Sequence, residues 1–171
     1  MSLELYRVDE RLLHGQVVVG WGERLGVDYY VVVDAELAAS EWEQDLYFSS
    51  VPEGVDVLFL DPGAPEEELR RAGEREGVGC LLTRGTAAMR RLAERGFLDG
   101  VTVNVGGLRA GRDRDLRVTD YVHLSPAERD DLRVVADRAG DVEARDLPDS
   151  RPVPLESSLT ETEEAAGREG T

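Results

Sequence analysis

One loop gathers most of the reactive side chains in this chain. Asp9-Glu10-Arg11-Leu12-Leu13-His14-Gly15-Gln16 follows the strand-like stretch Leu3 to Val8, and Val18, Trp21 and Leu25 come after it at helical spacing. An unperturbed imidazole titrates near pH ~6.5, so neutral His14 is plentiful near neutrality and can attack phosphorus. Arg11, three residues earlier, can fork onto phosphoryl oxygens. Asp9 can orient Arg11 or a ring nitrogen of His14, and Gln16 can donate a neutral hydrogen bond. The loop runs through Gly15 into a helix whose free N–H groups and positive dipole end suit a phosphate. Phosphoryl transfer asks mainly for positioning and charge neutralisation, which this small kit can supply. A lone loop histidine is also often a solvated bystander, and residue types alone leave both readings open.

The elements that must hold this loop alternate strand, loop and helix. Strands are expected at Leu3–Val8, Tyr29–Val33, Val55–Leu60, Gly79–Thr83, Val101–Val105 and Val118–Leu124, with a last short one at Val142–Leu147. Helices are expected at Gly15–Leu25, Ala38–Ser49, Pro62–Glu76, Thr86–Arg95 and Pro126–Ala139. The last of these opens with a capping signal, Ser125 with Pro126 and Glu128. This rhythm predicts an α/β fold: an open, mostly parallel sheet with helices on both faces. One domain is expected over residues 1–149. Residues 150–171 are rich in Pro, Ser, Thr, Glu and Gly and read as an acidic, disordered tail.

In such folds ligands bind at the carboxyl ends of the strands, so the residues there are the candidates. Besides the His14 loop they are Asp34 after the second strand, Asp61 after the third, and Thr83 and Arg84 at the fourth. Asn104-Val105-Gly106-Gly107 stands at the fifth, where Asn104 and Gly106 are taken as site residues. Each also has a plainer reading. Asp34 can be a helix cap, Arg84 a surface charge, and the glycines a chain reversal rather than an anion cradle. His123 reads as structural, and Trp21 and Trp42 as core or interface residues. Cys80, the single cysteine, sits in an apolar run and reads as a buried hydrophobe. Two histidines and one distant cysteine make no metal constellation, so neither a metal nor a cofactor is expected.

The formal net charge is −16, from 36 acidic and 20 basic residues, and every base is arginine. Such a surface repels nucleic acid and anionic lipid. The opening Met1-Ser2-Leu3-Glu4 lacks the basic start of a signal peptide, and no apolar run spans a bilayer, so a soluble, cytoplasmic protein is expected.

The stretch Arg7-Val8-Asp9-Glu10-Arg11-Leu12-Leu13-His14-Gly15-Gln16-Val17-Val18, followed by Trp21, closely resembles the signature of IIB subunits of mannose/fructose/sorbose-class sugar phosphotransferase systems. Val31-Val32-Val33-Asp34, Pro52-Glu53-Gly54-Val55 and Asn104-Val105-Gly106-Gly107 resemble further family motifs in the same order. The resemblance spans roughly residues 3 to 148. It implies that His14 takes a phosphoryl group from a phosphohistidine IIA partner. His14 then passes it to a sugar entering through membrane subunits IIC and IID, at the inner face of the membrane. It also implies that Arg11 steadies the phosphoryl group, that Asp9 shapes the loop, and that IIB itself holds no metal or nucleotide. The chain departs from the family pattern after the second strand, where Asp34-Ala35-Glu36 replaces paired acids. It departs again in its lack of lysine, with Arg84 standing at the fourth strand end, and in its tail. These departures keep open a regulatory phosphocarrier that signals rather than transports. A plain α/β ligand-binding module without phosphotransfer and a homodimer also stay open.

Overall fold

The computed structural model describes residues 3–160. Its sheet has seven strands in the order β3-β2-β4-β1-β5-β8-β9. These are β1 Leu3–Asp9, β2 Tyr29–Val33, β3 Asp56–Leu60, β4 Gly79–Thr83, β5 Thr102–Gly107, β8 Asp141–Ala144 and β9 Val153–Pro154. All neighbours pair in parallel except β8 and β9, which are antiparallel. Every residue of β2 and β4 is buried, as strands covered on both faces require.

The hand of the crossovers decides which helix covers which face. From β1 the chain moves to β2 and then β3 on one side, and afterwards returns through β4 to β5 and β8 on the other. Right-handed connections place the first two crossovers on one face and the next three on the opposite one. The first face carries the helix Gln16–Glu23, which is π-helical, with Val17, Val18 and Trp21 packed on Leu5, Tyr30, Val32, Cys80 and Leu82. Two short helices, α1 Ala35–Ala38 and α2 Glu41–Phe48, make the second crossover. The opposite face carries α3 Glu66–Gly73, α4 Thr86–Glu94 and α5 Pro126–Arg138 over Tyr6, Val31, Leu81 and Val103. The capping box expected at Ser125 and Glu128 is formed.

Four expectations are corrected. The helix assigned to 38–49 is two helices, because the Asp34 side chain caps an earlier start by accepting from Leu37 N at 2.9 Å. The strand assigned to 118–124 is a small hairpin of β6 Leu116–Arg117 and β7 His123–Leu124. Thr119 turns the chain between them by accepting the amides of Tyr121 and Val122. Asn104-Val105-Gly106-Gly107 is no reversal: it continues β5, and neither glycine has positive φ. The tail assigned from residue 150 is folded as far as 160. Val153 pairs with Ala144, the Leu155 amide donates to the Val142 carbonyl, and Leu155 and Leu159 are buried. These few apolar residues are spaced to cover the β8 edge, which would otherwise expose unpaired backbone. Residues 161–171 of that assignment lie outside the described residues.

Candidate functional site

β1 builds the site by its pleat. Successive side chains alternate between faces, so Arg7 and Asp9 point to the same side, toward the π-helix. Both are fully buried. The chain then turns sharply, with the Leu12 amide donating to the Asp9 carbonyl at 3.0 Å and Leu12 at φ 53°. A left-handed backbone in a non-glycine residue costs ~1–3 kcal/mol. Burial of Leu12 and Leu13 in the core beneath the π-helix offsets it and pins His14 between that core and solvent. The His14 carbonyl accepts from the amides of Val17 and Val18 and so opens the helix. No side chain caps its N-terminus at Gly15, and with the Val17 and Val18 amides taken by the His14 carbonyl, the Gly15 and Gln16 amides are the ones left to face a ligand.

Asp9 is the hub. Its Oδ2 lies 2.9 Å from His14 Nε2 and accepts from Arg7 Nη2 at 3.0 Å, while its Oδ1 accepts the Arg11 amide at 3.1 Å. Burial pushes the Asp9 carboxyl up. The hydrogen bond from His14 and the charge of Arg7 more than offset this and hold it below the ordinary carboxylate value. Arg11, at the surface, donates to Gln16 Oε1 at 2.7 Å, and its Nε stands 3.7 Å from Asp9 Oδ1.

Arg7 is the residue that sequence reasoning missed as part of the site. It also donates to Asn104 Oδ1 and to the carbonyls of Arg145 and Asp146, and it packs under Trp21 with 5.7 Å from its Cζ to the ring centre. Burial lowers its pKa, and Asp9 opposes that shift. Gly106 leaves the room: a Cβ there would lie 1.7 Å from Arg7 Cζ. Gly107 likewise makes way for Asp9. Asn104 and Gly106 therefore serve the buried arginine, and Asn104 Nδ2 is buried with no partner among the described residues. An arginine between Tyr6 and Val8 in the strand, two residues before an aspartate, was the available signal.

The other candidates form a second group. Arg84 Nε donates to Asp34 Oδ2 at 3.0 Å, so Asp34 is at once a helix cap and an ion-pair partner. Thr83 is buried and donates to the Gly85 carbonyl at 3.0 Å. An open depression of about 600 Å³ is lined by Glu10, Asp34, Arg84, Arg91 and Arg114. Glu10 anchors the arginine-rich loop after β5, accepting from Arg109 and Arg114, and Arg114 continues to Glu128. Burial pushes the Glu10 carboxyl up, but the hydrogen bond from the Arg109 amide and those from the Arg109 and Arg114 guanidiniums hold it low. Asp61 accepts the Gly63 amide, and His123 lies on β7 of the hairpin. Burial pushes the Cys80 thiol up to about 12, which removes it as a nucleophile. No group of three metal-ligating residues stands among the described residues, and none of their helices is long and apolar enough to cross a membrane.

Chemically, a neutral imidazole that donates its Nε2–H to a carboxylate keeps a lone pair on Nδ1. Residues 3–169 match the family model described as PTS system sorbose subfamily IIB component. The N-acetylgalactosamine-specific phosphotransferase enzyme IIB component 1 of Escherichia coli is 28% identical over 148 residues, covering 86% of this chain and 92% of that protein. The mannose-specific EIIAB component of the same organism is 31% identical, and the match covers 85% of this chain and 44% of that longer protein. The crystal structure of manxB from Thermoanaerobacter tengcongensis superposes with a TM-score of 0.79 at 28% identity, covering 93% of this chain and 95% of that one.

Proposed function

This chain belongs to the sorbose subfamily of IIB components of the sugar phosphotransferase system, and we propose that His14 is the residue that carries the phosphoryl group. The observation that carries the reading is the contact from His14 Nε2 to the buried carboxylate of Asp9 at 2.9 Å. It fixes the tautomer and leaves Nδ1 to react. In the first step Nδ1 attacks the phosphorus of a phosphohistidine on a IIA protein. The new N–P bond forms as the donor's N–P bond breaks, and the Nε2 proton stays on the ring, where Asp9 stabilises the positive charge that develops. Arg11 and the open N–H groups at the helix start neutralise the phosphoryl oxygens. In the second step a sugar hydroxyl attacks the phosphorus, the N–P bond breaks, Nδ1 regains its lone pair, and the hydroxyl proton is released. The sugar is presented by the membrane subunits IIC and IID, so this step takes place at the inner face of the membrane.

The test is transfer of labelled phosphate from a phosphorylated IIA protein to wild type, His14→Ala and Arg11→Ala. The expected result is an acid-labile label on wild type, none on His14→Ala, and a rate at least tenfold lower for Arg11→Ala. A wild type that stays unlabelled beside a IIA protein active on another IIB would reduce the motif to an inherited but idle one and leave a ligand-binding module.

A further inference from the structure

Between Arg24 and Arg70 the chain has no basic residue and twelve acidic ones. α2 lies in the middle of this stretch and buries none of its residues fully. Trp42 and Leu46, one turn apart, are 68% and 60% exposed, and Phe48, edge-on to Phe59 at 5.6 Å, is 46% exposed. Glu41 and Asp45 are exposed on the same helix. Gln44 Nε2 donates to the Leu37 carbonyl at 2.6 Å and ties α2 to α1, the helix that Asp34 caps at the carboxyl end of β2. Large apolar side chains grouped on one exposed helix, within a short reach of the reactive edge, mark an interaction surface rather than scattered exposure.

We propose that this face of α2 docks the membrane subunits of the transporter through the basic segments of their cytoplasmic loops, an inference that rests on the phosphotransfer reading above. Charge selects this occupant. Cytoplasmic loops of membrane proteins carry an excess of Lys and Arg, the complement of an acidic face with apolar anchors. A second copy of this chain would place Glu41 and Asp45 against their own counterparts, because a two-fold interface brings the same patch to itself. An anionic lipid surface is repelled by the same acids. A phosphorylated IIA protein brings more negative charge to a stretch that is already acidic.

The experiment mixes full-length protein with inverted vesicles that carry the membrane subunits, and with vesicles of the same lipids that lack them. Bound protein is measured after sedimentation. Wild type and His14→Ala are expected to bind the subunit vesicles equally and the bare vesicles not at all. Trp42→Ala/Leu46→Ala and, separately, Glu41→Arg/Asp45→Arg are expected to bind at least tenfold more weakly. Both double variants should accept label from phosphorylated IIA within twofold of wild type. Undiminished binding by the variants overturns the proposal. So does equal binding to bare vesicles, a self-association that only the variants lose, or a matching slowdown in label from IIA. A wild type that binds through α2 yet takes no label supports the docking face while sinking the phosphotransfer reading, so the two failures are told apart.

Discussion

The His14 edge and the α2 face treat charge in opposite ways. Around His14 the ionic groups are few and interlocked: Arg7 and Asp9 are fully buried, and the donors of Arg7 reach Asp9, Asn104 and two backbone carbonyls. On α2 the acids stand in water, with large apolar groups exposed between them. A buried ion pair is a costly arrangement that tolerates no missing partner, whereas exposed charges contribute little to stability and can be committed to binding. The first region is thus organised to hold one ring in one orientation. The second leaves Glu41 and Asp45 without an ion-pair partner among the described residues.

The sharpest test of that contrast is Arg7→Leu. Removing one member of a buried pair leaves Asp9 without its main cation and should cost ~3–5 kcal/mol of unfolding free energy. Urea denaturation followed by circular dichroism reads this directly. Arg7→Lys should recover only part of the loss, because an ammonium cannot present a planar fork to Asp9, Asn104 and the two carbonyls at once. A loss below ~1 kcal/mol for Arg7→Leu would show that the pair is not the anchor of the edge.

Gly106→Ala comes next. Its new methyl would sit on the Arg7 guanidinium, so either the strand or the arginine must move, at ~1–3 kcal/mol for an overpacked site. The same variant should slow label transfer to His14, since Asp9 loses its fixed partner. If stability falls while transfer is unchanged, Arg7 supports the fold without positioning the ring.

Acid separates the two regions in a third way. Asp9 and Glu10 have folded pKa values below their ordinary ones, so the unfolded chain binds protons more readily in the acid range. Their contribution is therefore fully present above the ordinary carboxylate range, near pH ~4, and is lost as pH falls through the depressed folded values. Stability curves from pH 7 downward should steepen below ~4, and Asp9→Asn should flatten them. Glu41→Gln with Asp45→Gln, which removes two exposed acids that make no ion pair or hydrogen bond among the described residues, is the control for the same curve.

Much of this organisation was legible in the sequence, and the failures share a cause. β2 and β4 were read with the bounds they have, because strands buried on both faces appear as unbroken apolar runs flanked by polar turns. The α5 start was readable from its local capping chemistry. The misses required knowledge of partners distant in sequence. Val118 to Leu124 alternates like a strand, yet Thr119 folds it back, and Leu155 and Leu159 looked like stray apolar residues until β8 supplied an edge to cover. In the site, Asp9, Arg11, His14 and Gln16 lie close together in the chain, and their grouping could be read. Arg7 was hidden because the residues that explain it, Asn104, Gly106 and the carbonyls at 145 and 146, arrive from β5 and the end of β8.

The smallest expected effect tests the other side of the comparison. Trp42→Ala/Leu46→Ala removes two large side chains that are mostly in water already, so unfolding free energy should change by no more than about ±0.5 kcal/mol. Side chains held at such exposure are not retained for the core, and their removal leaves no cavity. A loss of ~2 kcal/mol or more in urea would mean that they pack against part of this chain, and the contrast between the two regions would fail. A near-zero change in stability together with lost vesicle binding would place their contribution outside the folded chain. The two measurements must be made on the same double variant, because either result alone is compatible with a face that does nothing.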